Sequence, residues 1–180
     1  MVGLTRLLFD MEMLGDHELG ISVFNRRVLY IKVKMKIRQA VSNDIPKMQI
    51  IRHSVKENKL SDPGLVTYGD YLEYLENRGR GWVCEMQKEI VGFAIADLVA
   101  NQVWALFVHP DFQGRGIGRK LHDTMMNWYF AQTNRKIWLS TAPNTTAEIF
   151  YRNAGWKEAG QHGIKELKFE MDDDAWKARR

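Results

Sequence analysis

Gly114, Gly116 and Gly118 close the run Val108-His-Pro-Asp-Phe-Gln-Gly-Arg-Gly-Ile-Gly118, which stands between a strand-like and a helix-like segment. Glycines so spaced let successive backbone N–H groups point into one concavity with no Cβ in the way. The helix that follows adds the positive end of its dipole. Arg115, Arg119 and Lys120 add full positive charge. Such a loop suits a phosphate or pyrophosphate; on spacing alone, a plain glycine-rich turn with a solvated basic face is the alternative. Two commoner phosphate motifs fail. A G-x-G-x-x-G fingerprint counted from Gly114 and Gly116 needs glycine where Arg119 stands, and no glycine is followed by Lys-Ser or Lys-Thr, as a P-loop requires.

A strand must deliver this loop and a helix must receive it. The alternation of 102–108, ended by His109-Pro110, predicts the strand. Ile117, Leu121, Met125 and Trp128 lie on one face of a helix over 118–133. Around this unit, Met35 to Ala40 alternates as a strand. Ser42-Asn43-Asp44 and Pro46 then open a helix over 45–58. A loop with Ser61-Asp62-Pro63-Gly64 precedes a second helix, 68–77, stopped by Gly79. Segments 81–86 and 89–98 read as a hairpin turning at Gln87-Lys88, 136–141 as a strand, and 145–154 as a short helix with Gly155 just past its end. Segments 156–161 and 164–171 read as a closing hairpin around His162-Gly163, and 172–180 as a charged tail. This order implies a mixed sheet with helices on both faces, and a right-handed parallel crossover over 102–141.

Gln113-Gly114-Arg115-Gly116-Ile117-Gly118 fits the pattern Q/R-x-x-G-x-G/A, and here the chain resembles the GNAT superfamily of N-acetyltransferases, whose acetyl-coenzyme A loop carries that signature. Leu106-Phe107-Val108-His109-Pro110 resembles the family's fourth strand and the turn after it. Ala142-Pro143-Asn144 through Phe150-Tyr151 to Gly155-Trp156 resembles its second cofactor motif. The likeness spans about residues 36–171. It implies an α/β (α+β) fold: a mostly antiparallel central sheet of six to seven strands, about four helices on both faces, and a splay between the family's fourth and fifth strands. It also implies acetyl-CoA as cosubstrate without a metal, and acetyl transfer to a primary amine by direct attack in a ternary complex.

The resemblance assigns roles residue by residue. The edge of Leu106, Phe107 and Val108 would pair with the pantetheine arm, with the Leu106 N–H as oxyanion donor. Gln113, Gly114, Arg115, Gly116, Ile117, Gly118 and Arg119 would cradle the pyrophosphate. Asn144 would bond the pantetheine arm, and Tyr151 would protonate the departing thiolate. Structural readings stand beside these: buried strand for 106–108, a turn or helix cap for Asn144, ring packing beside Phe150 for Tyr151. Glu148 with Thr145 reads as a capping box.

The general base stays open. The family's glutamate near the start of its fourth strand is replaced by Gln102, which can hold a water but cannot take a proton. His53, Glu57, Asp62, Asp97 and His162 are candidates, beside proton release through water. The acceptor pocket is expected among the first two helices, their loop and the closing hairpin. Glu57, Asn58, Asp62, Asp70 and Glu73, with Trp82, Trp104 and Trp138, suggest an acidic, aromatic-lined cleft for a cationic amine. The acceptor is a small molecule or a protein amine, and the protein a monomer or homodimer. A non-catalytic coenzyme A sensor or interaction module on the same fold is the alternative.

Composition bounds these readings. The chain has 180 residues, 45% of them hydrophobic, enough for one domain with a real core. Twenty-six Lys and Arg against 22 Asp and Glu leave +4, a mild excess that admits an anionic ligand but makes no case for nucleic acid. The single Cys84 excludes an internal disulfide framework and fits a reduced, cytoplasmic protein; no stretch is apolar enough for a membrane span. Residues 1–34 read as an N-terminal extension or an over-long reading frame, 35–172 as the folded domain and 173–180 as the tail.

Overall fold

The computed structural model describes residues 19–24, 27–32, 34–57 and 63–179. The chain divides into two compact units between Met35 and Lys36. In the first, β1 (Leu19–Phe24) and β2 (Arg27–Lys32) pair antiparallel as a two-stranded sheet. The expectation for 1–34 otherwise falls largely outside the described residues.

The larger sheet holds β3 (Met35–Gln39), β4 (Gly79–Met86), β5 (Glu89–Asp97), β6 (Gln102–Val108), β7 (Ile137–Thr141), β8 (Lys157–His162) and β9 (Glu166–Met171), in the order β3-β4-β5-β6-β7-β9-β8. β4–β5, β5–β6, β7–β9 and β8–β9 are antiparallel, and β6–β7 is parallel. The helices are α1 (Ile45–Ser54), α2 (Tyr68–Glu73), α3 (Ile117–Gln132), α4 (Thr146–Asn153) and α5 (Asp173–Lys177). This is the mixed sheet that the element order implies, and mostly antiparallel as the resemblance implies. Gln87 and Lys88, at φ 51° and 70°, turn the β4–β5 hairpin as expected.

Spacing explains which faces are covered. Ile45, Met48 and Ile51 recur at helical intervals on α1, and with Tyr71 of α2 they bury against Val83, Phe93, Ile95 and Ala105 of the sheet. α3 packs against β4, β5 and β6 with Leu121 and Met125 fully buried, and Trp128 meets Trp82 edge-on at 5.3 Å. Each such buried aliphatic side chain contributes about 1.5–3 kcal/mol. Trp82 is therefore core, not cleft. α1 stops at Ser54, short of the expected 58: the Ser54 hydroxyl donates to Ile51 O at 2.8 Å, and Val55 turns extended at ψ 145°.

Two irregularities of β6 matter for the site. Ile95 pairs with Ala105 and Ala96 with Val103, so Trp104 is an unmatched bulge residue. β6 and β7 also share a single registered pair, Gln102 with Trp138, before they part.

The expected charged tail is a correction. Asp173–Lys177 is a helix capped by Asp172, and Trp176 is buried: its Nε1–H donates to Asn127 Oδ1 at 3.1 Å, and its ring stands edge-on to His122 at 5.5 Å. Charge dominates 172–180 by count, but one tryptophan supplies the anchor. Among the described residues no helix is long and apolar enough to cross a membrane.

Candidate active site

The parting of β6 from β7 exposes backbone. His109 N–H donates to Val91 O at 2.8 Å, which sets the antiparallel alternation with β5. Phe107 then faces Phe93, and the amides of Leu106 and Val108 point the other way, into the gap. Trp138 N–H donates to Asn101 O at 2.9 Å at the root of the gap. Of the three strand residues expected to offer backbone, two do; the Phe107 peptide is committed to β5 and only its ring remains for the gap.

A cleft of about 630 Å³ opens along this edge. Its lining includes every residue expected at a cofactor site except Arg115 and Asn144. At one end Gly114 and Gly116 hold φ of 77° and 75°, the left-handed region that favours glycine, and a Cβ on either would stand in open space. Gly116 caps α3, so the first N–H groups of a 16-residue helix open onto the cleft beside Arg119. The open cradle and the helix end fit a pyrophosphate. Arg115 is not in the lining itself, but its guanidinium lies 5.0 Å from the centre of the ring of Phe112, which is.

Tyr151 lines the opposite wall, on α4. Its ring is wedged between Phe150 at 5.3 Å and Trp156 at 5.6 Å, with His122 behind at 6.5 Å. Burial pushes its phenol far above the ordinary tyrosine value, so it holds its proton at neutral pH. Packing and an available hydroxyl thus coexist at Tyr151. His122 is itself buried: Nε2 accepts from Trp156 Nε1–H at 3.0 Å, and Nδ1 lies 2.9 Å from Asp123 Oδ1. Burial lowers its pKa, so the ring is neutral, with Nδ1–H donating to Asp123.

Asn144 is exposed, in the left-handed region at φ 59°, and its N–H donates to Glu148 Oε2 at 2.7 Å. Thr145 caps α4 by accepting from Glu148 N–H at 3.2 Å. The capping box is thus shifted: Glu148 reaches Asn144, not Thr145, and local geometry gives Asn144 a turn role.

The base candidates separate. Among the described candidates only Glu57 lines the cleft, where its carboxylate accepts from Thr146 N–H at 2.8 Å and Thr146 Oγ–H at 3.1 Å. Asp97 is fully buried, taking Arg78 and the N–H groups of Val99 and Ala100. His162 lies over Trp138 at 5.0 Å, which takes Trp138 away from the cleft as well. His53 is exposed, neither it nor Gln102 lines the cleft, and Asp62 lies outside the described residues. Burial pushes the Cys84 thiol up to about 11, which makes it a poor nucleophile. Among the described residues no group of three or more His, Cys, Asp or Glu is placed to hold a metal ion.

Of the residues expected at the acidic acceptor pocket, Glu57 lines the cleft, Asp70 and Glu73 are not in its lining, and Asn58 and Asp62 lie outside the described residues. Asp70 caps α2 through Thr67, and Glu73 accepts from Asn77. Of the three tryptophans only Trp104 stands near, stacked on Tyr74 at 4.1 Å, with the Arg52 guanidinium over its face. Arg52, Lys56 and Thr146 had no signal in the sequence beyond helix-end positions.

Residues 77–158 match the acetyltransferase (GNAT) domain family. An uncharacterized N-acetyltransferase of Methanocaldococcus jannaschii is 30% identical over 101 residues; the match covers 49% of this chain and less than half, 44%, of that relative. Among solved structures, an N-acetyltransferase from Staphylococcus aureus Mu50 superposes with TM-score 0.65 at 17% identity over 77% of this chain and 98% of its own. A ribosomal-protein-alanine N-acetyltransferase from Brucella melitensis gives 0.63 at 23%, over 76% and 99%. The PaiA N-acetyltransferase from Thermoplasma acidophilum, in complex with coenzyme A, gives 0.61 at 15%, over 77% and 99%. With this sheet, this parting of β6 and β7 and this glycine loop, the chain has the fold of these N-acetyltransferases, and residues 77–158 match the GNAT domain.

Proposed function

We propose that the protein is an N-acetyltransferase that moves an acetyl group from acetyl-CoA to a primary amine. The observation that carries this reading is the unpaired β6 edge, which faces a cleft with a glycine cradle at one end and the protonated Tyr151 on its wall. Residues 113, 114 and 116–119 would hold the pyrophosphate, and the Leu106 and Val108 peptides the pantetheine amides. When bound, the cosubstrate supplies an acetyl group already activated as a thioester.

The chain's own groups then have distinct tasks. The Leu106 N–H, already aimed at the gap, donates a hydrogen bond to a developing oxyanion at no cost of reorganisation. The Tyr151 hydroxyl, kept protonated by burial, donates a proton where a thiolate departs. Glu57, the one base candidate on the cleft among the described residues, accepts a proton from the attacking amine while Thr146 fixes its orientation. With Cys84 buried and protonated, direct attack in a ternary complex is favoured over a covalent route.

Incubating the full chain with acetyl-CoA and an amine panel, followed by mass spectrometry, tests the reading. An acetylated amine supports the enzyme. Bound but unconsumed acetyl-CoA across a broad panel supports the coenzyme A sensor instead.

A further inference from the structure

Arg52, in the last turn of α1, lies against the Phe107 wall of the cleft and is not itself in the lining. Its guanidinium lies 4.7 Å from the ring centres of both Trp104 and Phe107 and 5.6 Å from that of Tyr71. Its hydrogen bond within the described residues is Nε–H to the Tyr71 hydroxyl, at 2.9 Å. Nη2 is buried with no hydrogen-bond partner, and no carboxylate pairs with Arg52, among the described residues. Aromatic faces attract a guanidinium but do not satisfy its N–H donors. A guanidinium stays charged across the working pH range, so it cannot relieve the unfilled donor by losing its proton.

Position ties this group to the cleft. Phe107 holds the guanidinium on its face and also lines the cleft, as does Val55, three residues beyond Arg52. The Trp104 bulge supplies a second aromatic wall. Lys56 adds a further positive charge to the cleft, while Asp70 and Glu73 are engaged on α2 and beyond it. Glu57 is the one carboxylate among the described residues that line the cleft, fewer than the several amines of a polyamine would pair with.

The geometry points to an acceptor that carries an anion beside its amine: a small amino acid whose carboxylate pairs with Arg52. This inference rests on the proposed acetyl transfer and names its substrate class. A planar carboxylate matches the fork of a guanidinium, and filling the empty donor gives the binding energy a location.

The test compares amines that differ in charge alone. Glycine, β-alanine and γ-aminobutyrate are assayed beside their carboxamides, with phosphoethanolamine and spermidine as other charge classes. The wild-type chain should favour at least one carboxylate over its amide by tenfold or more in kcat/KM. Arg52→Gln should bring that ratio near one by raising KM for the carboxylate, with amide turnover and acetyl-CoA KM unchanged. Arg52→Lys should lie between. A preference for spermidine or for phosphoethanolamine, or a carboxylate preference that survives Arg52→Gln, overturns the proposal.

A second arm needs no turnover. With coenzyme A present, the N-acetyl derivatives of the same amino acids should raise the melting temperature of wild type but not of Arg52→Gln. No shift in wild type overturns the Arg52 site. A shift without acetylation of any amine overturns acetyl transfer and leaves the Arg52 site supported.

Discussion

Gln102 of β6 and Trp138 of β7 face each other as the single registered pair between two parallel strands. Beyond that pair the side of β6 turned away from β5 is open. The alternation fixed by β5 decides which peptides do so: Leu106 and Val108, not Phe107. The proposed reaction depends on that gap, because an added strand needs unpaired amides and an oxyanion donor needs a peptide free of its neighbour.

Tyr151→Phe removes one hydroxyl and keeps the ring between Phe150 and Trp156. We expect kcat to fall roughly 10–100-fold, with acetyl-CoA affinity and melting temperature nearly unchanged. Steady-state kinetics beside calorimetric titration checks this. A rise confined to the amine KM would make Tyr151 an acceptor contact, and a sharp loss of stability would make its hydroxyl structural.

Glu57→Gln keeps an oxygen that can accept from Thr146 but removes the base. The expected result is a fall in kcat/KM of about 10²-fold, with cofactor affinity unchanged. An unaltered kcat/KM would send the amine proton to solvent and leave Glu57 as a tie to the start of α4.

Much of the site could be read from residue types, because it is local. Gly114, Gly116 and the N-terminus of α3 lie within a few residues of one another, and their spacing alone suggests a cradle. What depends on long-range register could not be read. The Trp104 bulge moves one aromatic ring to the face that holds Tyr71 and Arg52, and no local pattern announces it. Asp70 and Glu73 are taken by local partners instead, Thr67 three residues before and Asn77 four residues after. Asn144 fits the family motif by position, while its left-handed turn sets it outside the cleft lining.

His122 makes stability depend on pH. Burial lowers its folded-state pKa, so the native ring stays neutral while the unfolded ring takes up a proton below about pH 6.5. Native stability is therefore full above that value and is lost as pH falls below it, by up to about 1.4 kcal/mol per pH unit until the native ring also titrates. Urea midpoints measured on either side of about pH 6.5 should fall with acid in wild type and flatten in His122→Gln. Equal slopes in the two proteins would show that His122 does not set the dependence.

Trp176→Ala should destabilise the protein by about 3–5 kcal/mol, because it empties a buried site against His122 and Phe130 and removes the N–H that donates to Asn127 Oδ1. Denaturant unfolding measures it. A change within about 0.5 kcal/mol, the range of ordinary surface substitutions, would return residues 173–177 to the status of a tail.

Beneath all of these lies one claim: the cleft between β6 and β7 takes acetyl-CoA with its phosphates on the Gly114–Gly116 loop. Calorimetric titration of acetyl-CoA into wild type and Gly116→Glu tests it most directly. Gly116 sits at φ 75° with open space beside it, so a glutamate there strains the backbone by about 1–2 kcal/mol and places a carboxylate where the pyrophosphate would lie. Wild type should show saturable one-site binding, and a Gly116→Glu protein that still unfolds cooperatively should bind with at least a tenfold weaker Kd. Equal affinity in the two folded proteins would contradict the claim.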